Sequence, residues 1–367
     1  MNFVSALALV KKMTVNWPQG RPLNTSTEIR LTRLCTQRCR QCDVYNRRTE
    51  PPSLDQKRFR LLASRLREYG AYVGFLSGGE PILVPDLEGI LLEARKTFSM
   101  AVTLVTGLYH KSERVERVAK VALDNDINIQ TSLDGLGLLG DDLRGVPNFS
   151  TTVTDRMRKI AQMRANSHSK SLLYANIVIN NKNVEQVPQL LDAIAECGWK
   201  ATVGLYHTLT ETTRLDTHLI LRPSATLQRV LQLVSNNPII LNLKSFVRGI
   251  QQAAKDNYPR FCPYLDSPVL STRTVIMEDG DIYLCRGEAI GNLFQQNLSE
   301  IFSGPTYRER LGQYRHCPGC WSSCYAERYL LFHPPSFDDL MDTLLKVYRL
   351  RTGYRLSPRL RTGENTS

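Results

Sequence analysis

Glu28-Ile29-Arg30-Leu31-Thr32-Arg33-Leu34-Cys35-Thr36-Gln37-Arg38-Cys39-Arg40-Gln41-Cys42 is the stretch whose reading decides the fold. Its first seven residues read as a strand, and the eight that follow hold three thiols. Three thiolates on so short an arc suit a cubane iron–sulfur cluster with one iron left open, because each sulfur can reach a different corner. Zinc ordinarily takes four ligands, often as two Cys-x2-Cys knuckles, so this spacing fits zinc less well.

Outward from that loop, strand and helix patterns alternate. Leu61, Leu62 and Leu66 are spaced for a helix that Gly70 would end. Apolar runs at Ala71–Leu76, Ala101–Thr106, Ile127–Ser132, Leu172–Ile179 and Ala201–Tyr206 read as buried parallel strands. Helices are expected over Asp86–Lys96, from Ser112 with Val115, Val118, Ala119, Ala122 and Leu123 on one face, over Thr154–Arg164 and over Val184–Glu196. Six strands alternating with helices predict an α/β chain with a parallel sheet and functional loops at the carboxyl ends of the strands. Four further loops of this kind carry candidates. Ser77-Gly78-Gly79-Glu80-Pro81 follows the second strand; its glycines let backbone approach a ligand, and its carboxylate can pair with an ammonium group. Ser132-Leu133-Asp134-Gly135 ends the fourth strand and also reads as a plain Asp-Gly turn. Asn180 closes the fifth strand, and Tyr206-His207 the sixth, where His207 could act as acid or base or be merely structural.

A second region has a different texture. Val269–Met277 and Ile282–Cys285 read as a hairpin across Glu278-Asp279-Gly280-Asp281. Cys262, Cys285, Cys317, Cys320 and Cys324 give at least one complete four-ligand site, for a cluster or for structural zinc. Phe337–Arg351 is expected as an amphipathic helix with Leu340, Leu344, Val347 and Tyr348 on one side, before a polar, basic tail.

Composition bounds the rest. At 367 residues, with 42% hydrophobic and 22% charged, the chain is long enough for one large barrel or two domains. A formal charge of +12 favours an anionic partner. Nucleic acid is disfavoured, since the basic residues, many of them in the tail, are not interleaved with aromatics. Eight of the nine cysteines fall in metal-like clusters, and the lone Cys197 reads as core; the pattern indicates a reducing, cytoplasmic compartment. Met1–Met13 reads as a short helix over one barrel end, and no stretch approaches the length of a membrane span.

On the Cys-x3-Cys-x2-Cys loop and the Gly-Gly-Glu-Pro that follows it, the sequence resembles the radical S-adenosylmethionine (radical SAM) enzymes. That resemblance implies a partial (βα)6 barrel in which Cys35, Cys39 and Cys42 ligate a [4Fe-4S] cluster whose open iron binds S-adenosylmethionine. It implies cofactor contacts at Gly78, Gly79 and Glu80, with Ser132 and then Asp134 as ribose candidates and Asn180 at the same mouth. The family's aromatic residue before the third cysteine is Gln41 here, and Tyr45 is the nearby substitute. Gly280-x4-Cys285, the following Gly-Asn and the Cys317-x2-Cys320 knuckle resemble the SPASM or twitch extensions. They imply one auxiliary [4Fe-4S] cluster on Cys262, Cys285, Cys317 and Cys320, with Cys324 either a spare thiol able to donate hydrogen or a replacement for Cys262.

The expected division is a helical extension at 1–25, the barrel at 26–210, a helical bridge at 211–260, the auxiliary-cluster domain at 261–335, and a helix with basic tail at 336–367. The expected function is reductive cleavage of S-adenosylmethionine and hydrogen abstraction, with electrons from a flavodoxin or ferredoxin type of donor. Cys324, His207 and Tyr206 are the catalytic candidates. A small sugar, nucleoside or other metabolite is favoured, for dehydrogenation, epimerisation or related chemistry, because only about 27 residues precede the first strand, few for a leader-binding domain; the basic charge is compatible with a phosphorylated or carboxylated one. Modification of a ribosomally made peptide is the alternative. From another class, a non-catalytic iron–sulfur or zinc scaffold fits less well.

Overall fold

The computed structural model describes residues 22–42, 44, 53–110, 113–207, 215–255, 262–267, 269, 272–285, 287–317 and 319–352. The helix expected at Met1–Met13, Tyr45 and the basic tail lie outside the described residues. Six strands run parallel: β1 (Ser26–Arg30), β2 (Val73–Ser77), β3 (Ala101–Val105), β4 (Asn128–Ser132), β5 (Leu173–Ile179) and β6 (Lys200–Leu205). Each pairs with its neighbour in sequence, which demands a crossover every time.

Helices supply the crossovers: α1 (Gln56–Tyr69), α2 (Leu87–Thr97), α3 (Arg114–Asp124), α4 (Gly137–Arg144) with α5 (Phe149–Ala165), and α6 (Val187–Glu196). The first shows why they form. Asp55 caps α1 by accepting from Arg58 N at 2.7 Å; Phe59, Leu62, Ala63 and Leu66 bury one face, and Gly70 at φ 98° ends the helix. The strands carry one apolar and one polar face. On β4, Ile129 is buried among the helices while Asn128, Gln130 and Ser132 look the other way.

The hairpin joins the barrel sheet. β7 (Arg273–Ile276) pairs parallel with β1, Ser26 opposite Arg273, and β8 (Asp281–Tyr283) and β9 (Gly291–Asn292) follow antiparallel, making a nine-stranded sheet. The side chains explain the choice of edge. Arg273 is ion-paired to Glu28, and Thr274 bonds Asn24 at 2.9 Å in a buried cluster with Thr27. An edge strand left unpaired would present a row of open backbone groups.

The opposite edge is covered differently. Asn242 accepts from Val203 N at 2.6 Å and donates to Val203 O at 2.9 Å, so one side chain stands in for a neighbouring strand. Two helices form the bridge, α7 (Ala225–Asn236) and α8 (Lys244–Ala253), and beyond them lie α9 (Pro263–Asp266), α10 (Leu298–Ser303), α11 (Pro305–Tyr314), α12 (Ser323–Phe332) and α13 (Phe337–Thr352). α12 packs against β6 at one end, Ser323 beside Gly204, and reaches the β1 side through Arg328, which donates to Thr25 Oγ1 at 3.2 Å. Just before it, Trp321 stacks on Phe246 and donates to Phe246 O at 2.8 Å, close enough to Gly249 that a Cβ there would sit 1.9 Å from the indole.

α13 reverses its expected orientation. Leu340, Leu344 and Tyr348 are 37%, 52% and 63% exposed, while Asp339 and Thr343 are buried. The helix docks by charge: Arg248 binds both Asp339 oxygens at 2.6 and 2.8 Å, and Asp342 accepts from Lys244 N at 3.2 Å. The apolar period was a true helix signal but does not choose the buried face.

Glu327 on α12 accepts from Leu243 N at 2.8 Å, and burial pushes its carboxyl up to about 7. A carboxyl raised on folding holds its proton better in the native state, so its full stability is present below the unfolded value and is lost as pH rises through about 7. Glu327→Gln should therefore stabilise the protein by on the order of 2 kcal/mol at pH 8 and by little at pH 5, measured as unfolding midpoints at the two pH values.

Candidate active site

The loop after β1 takes its shape from the loop after β2. Gly79 N donates to Thr32 O at 2.6 Å and Glu80 N donates to Leu34 O at 2.7 Å. A Cβ on Gly78 would meet Thr32 O at 2.5 Å, and one on Gly79 would meet Leu34 O at 2.1 Å. Gly78 also stands at φ 142°, where side chains are strained. Both glycines are thus required by a neighbouring backbone, the one that leads into Cys35. The Glu80 carboxylate turns inward: it is 1% exposed and accepts from Thr106 Oγ1 at 2.6 Å, Gly107 N at 2.8 Å and Ile82 N at 3.1 Å. The carboxylate expected to meet an ammonium group is therefore already held by three donors of the chain itself. Burial raises its pKa, and the three donors work against the rise.

The three thiols share this loop. Gln37 N donates to Cys35 Sγ at 3.4 Å, Cys42 N donates to Cys39 O at 3.2 Å, and Cys39 lies beside Gln37 Oε1 at 3.4 Å. Burial pushes the Cys35 thiol up to about 12, and Glu80, Cys39 and Cys42 add to the effect. Such thiols surrender protons only to a metal centre that replaces the charge they lose. Behind them stands Arg144 at the end of α4, donating to Cys39 Sγ at 3.7 Å and ion-paired to Asp134. Neither α4 nor Arg144 was expected, because Gly137-Leu138-Leu139-Gly140 carries two glycines in the first turn and reads as loop. The one usable signal was Arg144-Gly145, a helix-stop pair, with Gly145 at φ 62°.

The remaining barrel candidates separate. Asp134 is fully buried, and its oxygens are taken by Arg144, by Gln41 Nε2 at 3.1 Å and by Val178 N at 2.7 Å, so it braces the interior. Asn180 is buried in a turn, its Oδ1 accepting from Lys182 N at 2.9 Å and Asn183 N at 3.2 Å. The Tyr206 hydroxyl accepts from Asp216 N at 2.7 Å, and its ring packs with Leu143 and Leu219, a structural post rather than a catalytic group. Ser132, half-buried at the end of β4, makes no hydrogen bond through its hydroxyl among the described residues. His207 is half-buried at the end of β6, beside residues outside the described set.

The second cysteine set converges on one cavity of about 270 Å³ lined by Cys262, Cys285, Cys317 and Cys320. Among the described residues no three Cys, His, Asp or Glu side chains close on a single-ion point; these four thiols ring a larger space. Tyr264 and Tyr325 form part of its wall and hold it by donating to Leu284 O, each at 2.9 Å. Cys324 is not in that wall. It lies on α12, exposed, with Arg273 and Tyr174 of the sheet among its electrostatic neighbours, so it does not join the four.

Comparison with known proteins agrees with both halves. The model of the radical SAM superfamily matches residues 29–194, and that of the SPASM iron-sulfur cluster-binding domain matches residues 268–325. Sporulation killing factor maturation protein SkfB of Bacillus subtilis (strain 168) is 23% identical over 176 residues, 48% of this chain and 41% of that protein. Pre-heme d1 synthase of Dinoroseobacter shibae is 26% identical over 168 residues, 44% of this chain and 38% of that protein. The matched region thus spans about two fifths of these relatives' length. Streptococcus suis SuiB bound to precursor peptide SuiA shares the fold at TM-score 0.60 and 19% identity, over 81% of this chain and 69% of that one. Native anSMEcpe with bound AdoMet and Cp18Cys peptide does so at TM-score 0.59 and 15% identity, over 89% and 98%. With the thiol loop after β1 and the cavity ringed by Cys262, Cys285, Cys317 and Cys320, the chain belongs to the radical SAM superfamily and carries a SPASM-type iron-sulfur cluster-binding domain, so its cofactors are [4Fe-4S] clusters and S-adenosylmethionine.

Proposed function

We propose that this radical SAM enzyme abstracts hydrogen from a small carboxylated or otherwise anionic metabolite, in a dehydrogenation, epimerisation or related C–H functionalisation. The observation that carries the substrate class is a charge imbalance around β1, β7 and α12. Arg30 and Arg273 share the single carboxylate of Glu28, while Arg328 has one hydrogen bond and no ion pair among the described residues. Burial, and after it the charge of Arg273, press the Arg328 pKa down to about 10. A guanidinium in that position is stabilised by an anion that the chain itself does not supply.

When bound, the cofactors supply reductive cleavage of S-adenosylmethionine to a 5′-deoxyadenosyl radical, which takes the substrate hydrogen. In our assignment Cys35, Cys39 and Cys42 hold the first cluster, and the backbone of Gly78 and Gly79 borders the S-adenosylmethionine site, with Ser132 toward the ribose. Cys262, Cys285, Cys317 and Cys320 hold one auxiliary cluster. Cys324 is a thiol able to return a hydrogen atom, and His207 is a proton carrier at the mouth. Electrons come from a flavodoxin or ferredoxin type of donor. Nine free cysteines favour the reducing cytoplasm. The working units run 26–210 for the barrel and 261–335 for the auxiliary domain. A peptide substrate is the second reading, supported by SuiB and anSMEcpe, which share this fold and are described with bound peptides.

Anaerobically reconstituted enzyme with reductant and S-adenosylmethionine should form 5′-deoxyadenosine, faster with a carboxylated metabolite from a panel that includes coproporphyrin III, and no faster with its methyl ester. Arg328→Gln should raise KM for that metabolite about 10- to 100-fold while leaving substrate-free cleavage unchanged. Absence of 5′-deoxyadenosine from a reduced, fully loaded protein would refute the activity; stimulation by peptides alone would replace the substrate.

Metal content tests the ligand assignment. Wild type should bind about eight Fe per chain, the triple variant Cys35→Ala, Cys39→Ala, Cys42→Ala about four, and Cys324→Ala still about eight. Four iron with one zinc in wild type would leave no auxiliary cluster.

A further inference from the structure

We infer that Arg144 sets the reduction potential of the first cluster, as a positioning residue acting through Cys39, and that Asp134 and Gln41 hold it in place. Arg144 is 7% exposed and Cys39 8%, with guanidinium Nη1 donating to Cys39 Sγ at 3.7 Å. The other arm of the fork is paired to Asp134, and the plane lies over the Phe149 ring at 5.3 Å. Asp134 is fixed in turn by Val178 N at 2.7 Å and by Gln41 Nε2 at 3.1 Å. Gln41 stands directly before Cys42, so the network starts and ends on the thiol loop.

The backbone locks the same arrangement. Arg38 N donates to Arg144 O at 3.0 Å and Arg40 N donates to Leu143 O at 3.0 Å, so the end of α4 is stitched to the loop between Cys35 and Cys42. Gly145 makes the approach possible, since a Cβ there would lie 2.5 Å from Arg38 O. The backbone of Arg144 is thus fixed to the loop, and the pair with Asp134 holds the guanidinium toward the sulfur.

Reduction adds negative charge to a cluster, and a buried cation that hydrogen-bonds a ligand sulfur favours the reduced form. Little water screens the charge at this depth. Asp134 works in the opposite sense, because its carboxylate offsets part of the field of Arg144. The two residues should thus pull the potential in opposite directions, which a merely structural pair would not do.

This inference rests on the assignment of the first cluster to Cys35, Cys39 and Cys42, and one titration separates the two. In reconstituted wild type, the reduced-cluster EPR signal that changes on adding S-adenosylmethionine identifies the first cluster, and its midpoint is read in a redox titration beside that of the auxiliary cluster. Arg144→Gln should move the first midpoint to more negative potential, Arg144→Lys should move it less, and Asp134→Asn should move it to more positive potential, all with the auxiliary midpoint unchanged. If Arg144→Gln fails to retain iron, Asp134→Asn carries the test alone. An unmoved first midpoint in fully loaded variants, or a negative shift in Asp134→Asn, overturns the inference. Absence of any signal responsive to S-adenosylmethionine in wild type overturns the cluster assignment instead.

Discussion

Two backbones cross at Gly78 and Gly79 with no room for a single Cβ, and the thiol loop depends on that crossing. Thr32 O and Leu34 O, alternate carbonyls just before Cys35, are both occupied by N–H groups of the following motif. Backbone pairing of this kind fixes direction as well as distance, so Cys35 leaves the sheet on a set heading. The motif's glycines are usually thought of in terms of ligand access, and here they are first a steric condition for the metal loop.

Charge is handled in contrasting ways at the two ends of the barrel. At the thiol loop, Asp134 and Arg144 neutralise each other, and each is anchored by further hydrogen bonds. Around β1 and β7 the sum does not close: Glu28 answers Arg273 and Arg30, its carboxyl held near 2 despite burial by those two arginines, and Arg328 remains over. The fold thus pairs its charges beside the thiol loop and leaves one guanidinium without an ion pair, among the described residues, beside β1 and β7.

Much of this was legible. Apolar runs such as Ala101–Val105 and the face of α3 follow from local period, and the strand order follows from short right-handed crossovers. What escaped depended on distant partners. β7 was readable as half of a hairpin, but its second neighbour, β1, lies some two hundred and fifty residues earlier and leaves no local mark. α4 was hidden by its glycines, one of which, Gly140, passes so near Gly135 that a Cβ would sit 2.4 Å from its carbonyl oxygen. Asp134 and Asn180 stand at the expected strand ends, but their inward turn was not legible, because sequence marks a position without saying which way the side chain turns.

The pairing of β7 with β1 also orders events in time. A ribosome releases the thiol loop early, but the strand that carries it gains its second neighbour only when residues near 273 emerge. Until then β1 is an open edge, and the contacts that rigidify it are among the most non-local in the chain. The strand that leads into the thiol loop is therefore held on both sides only after the whole parallel barrel has been made.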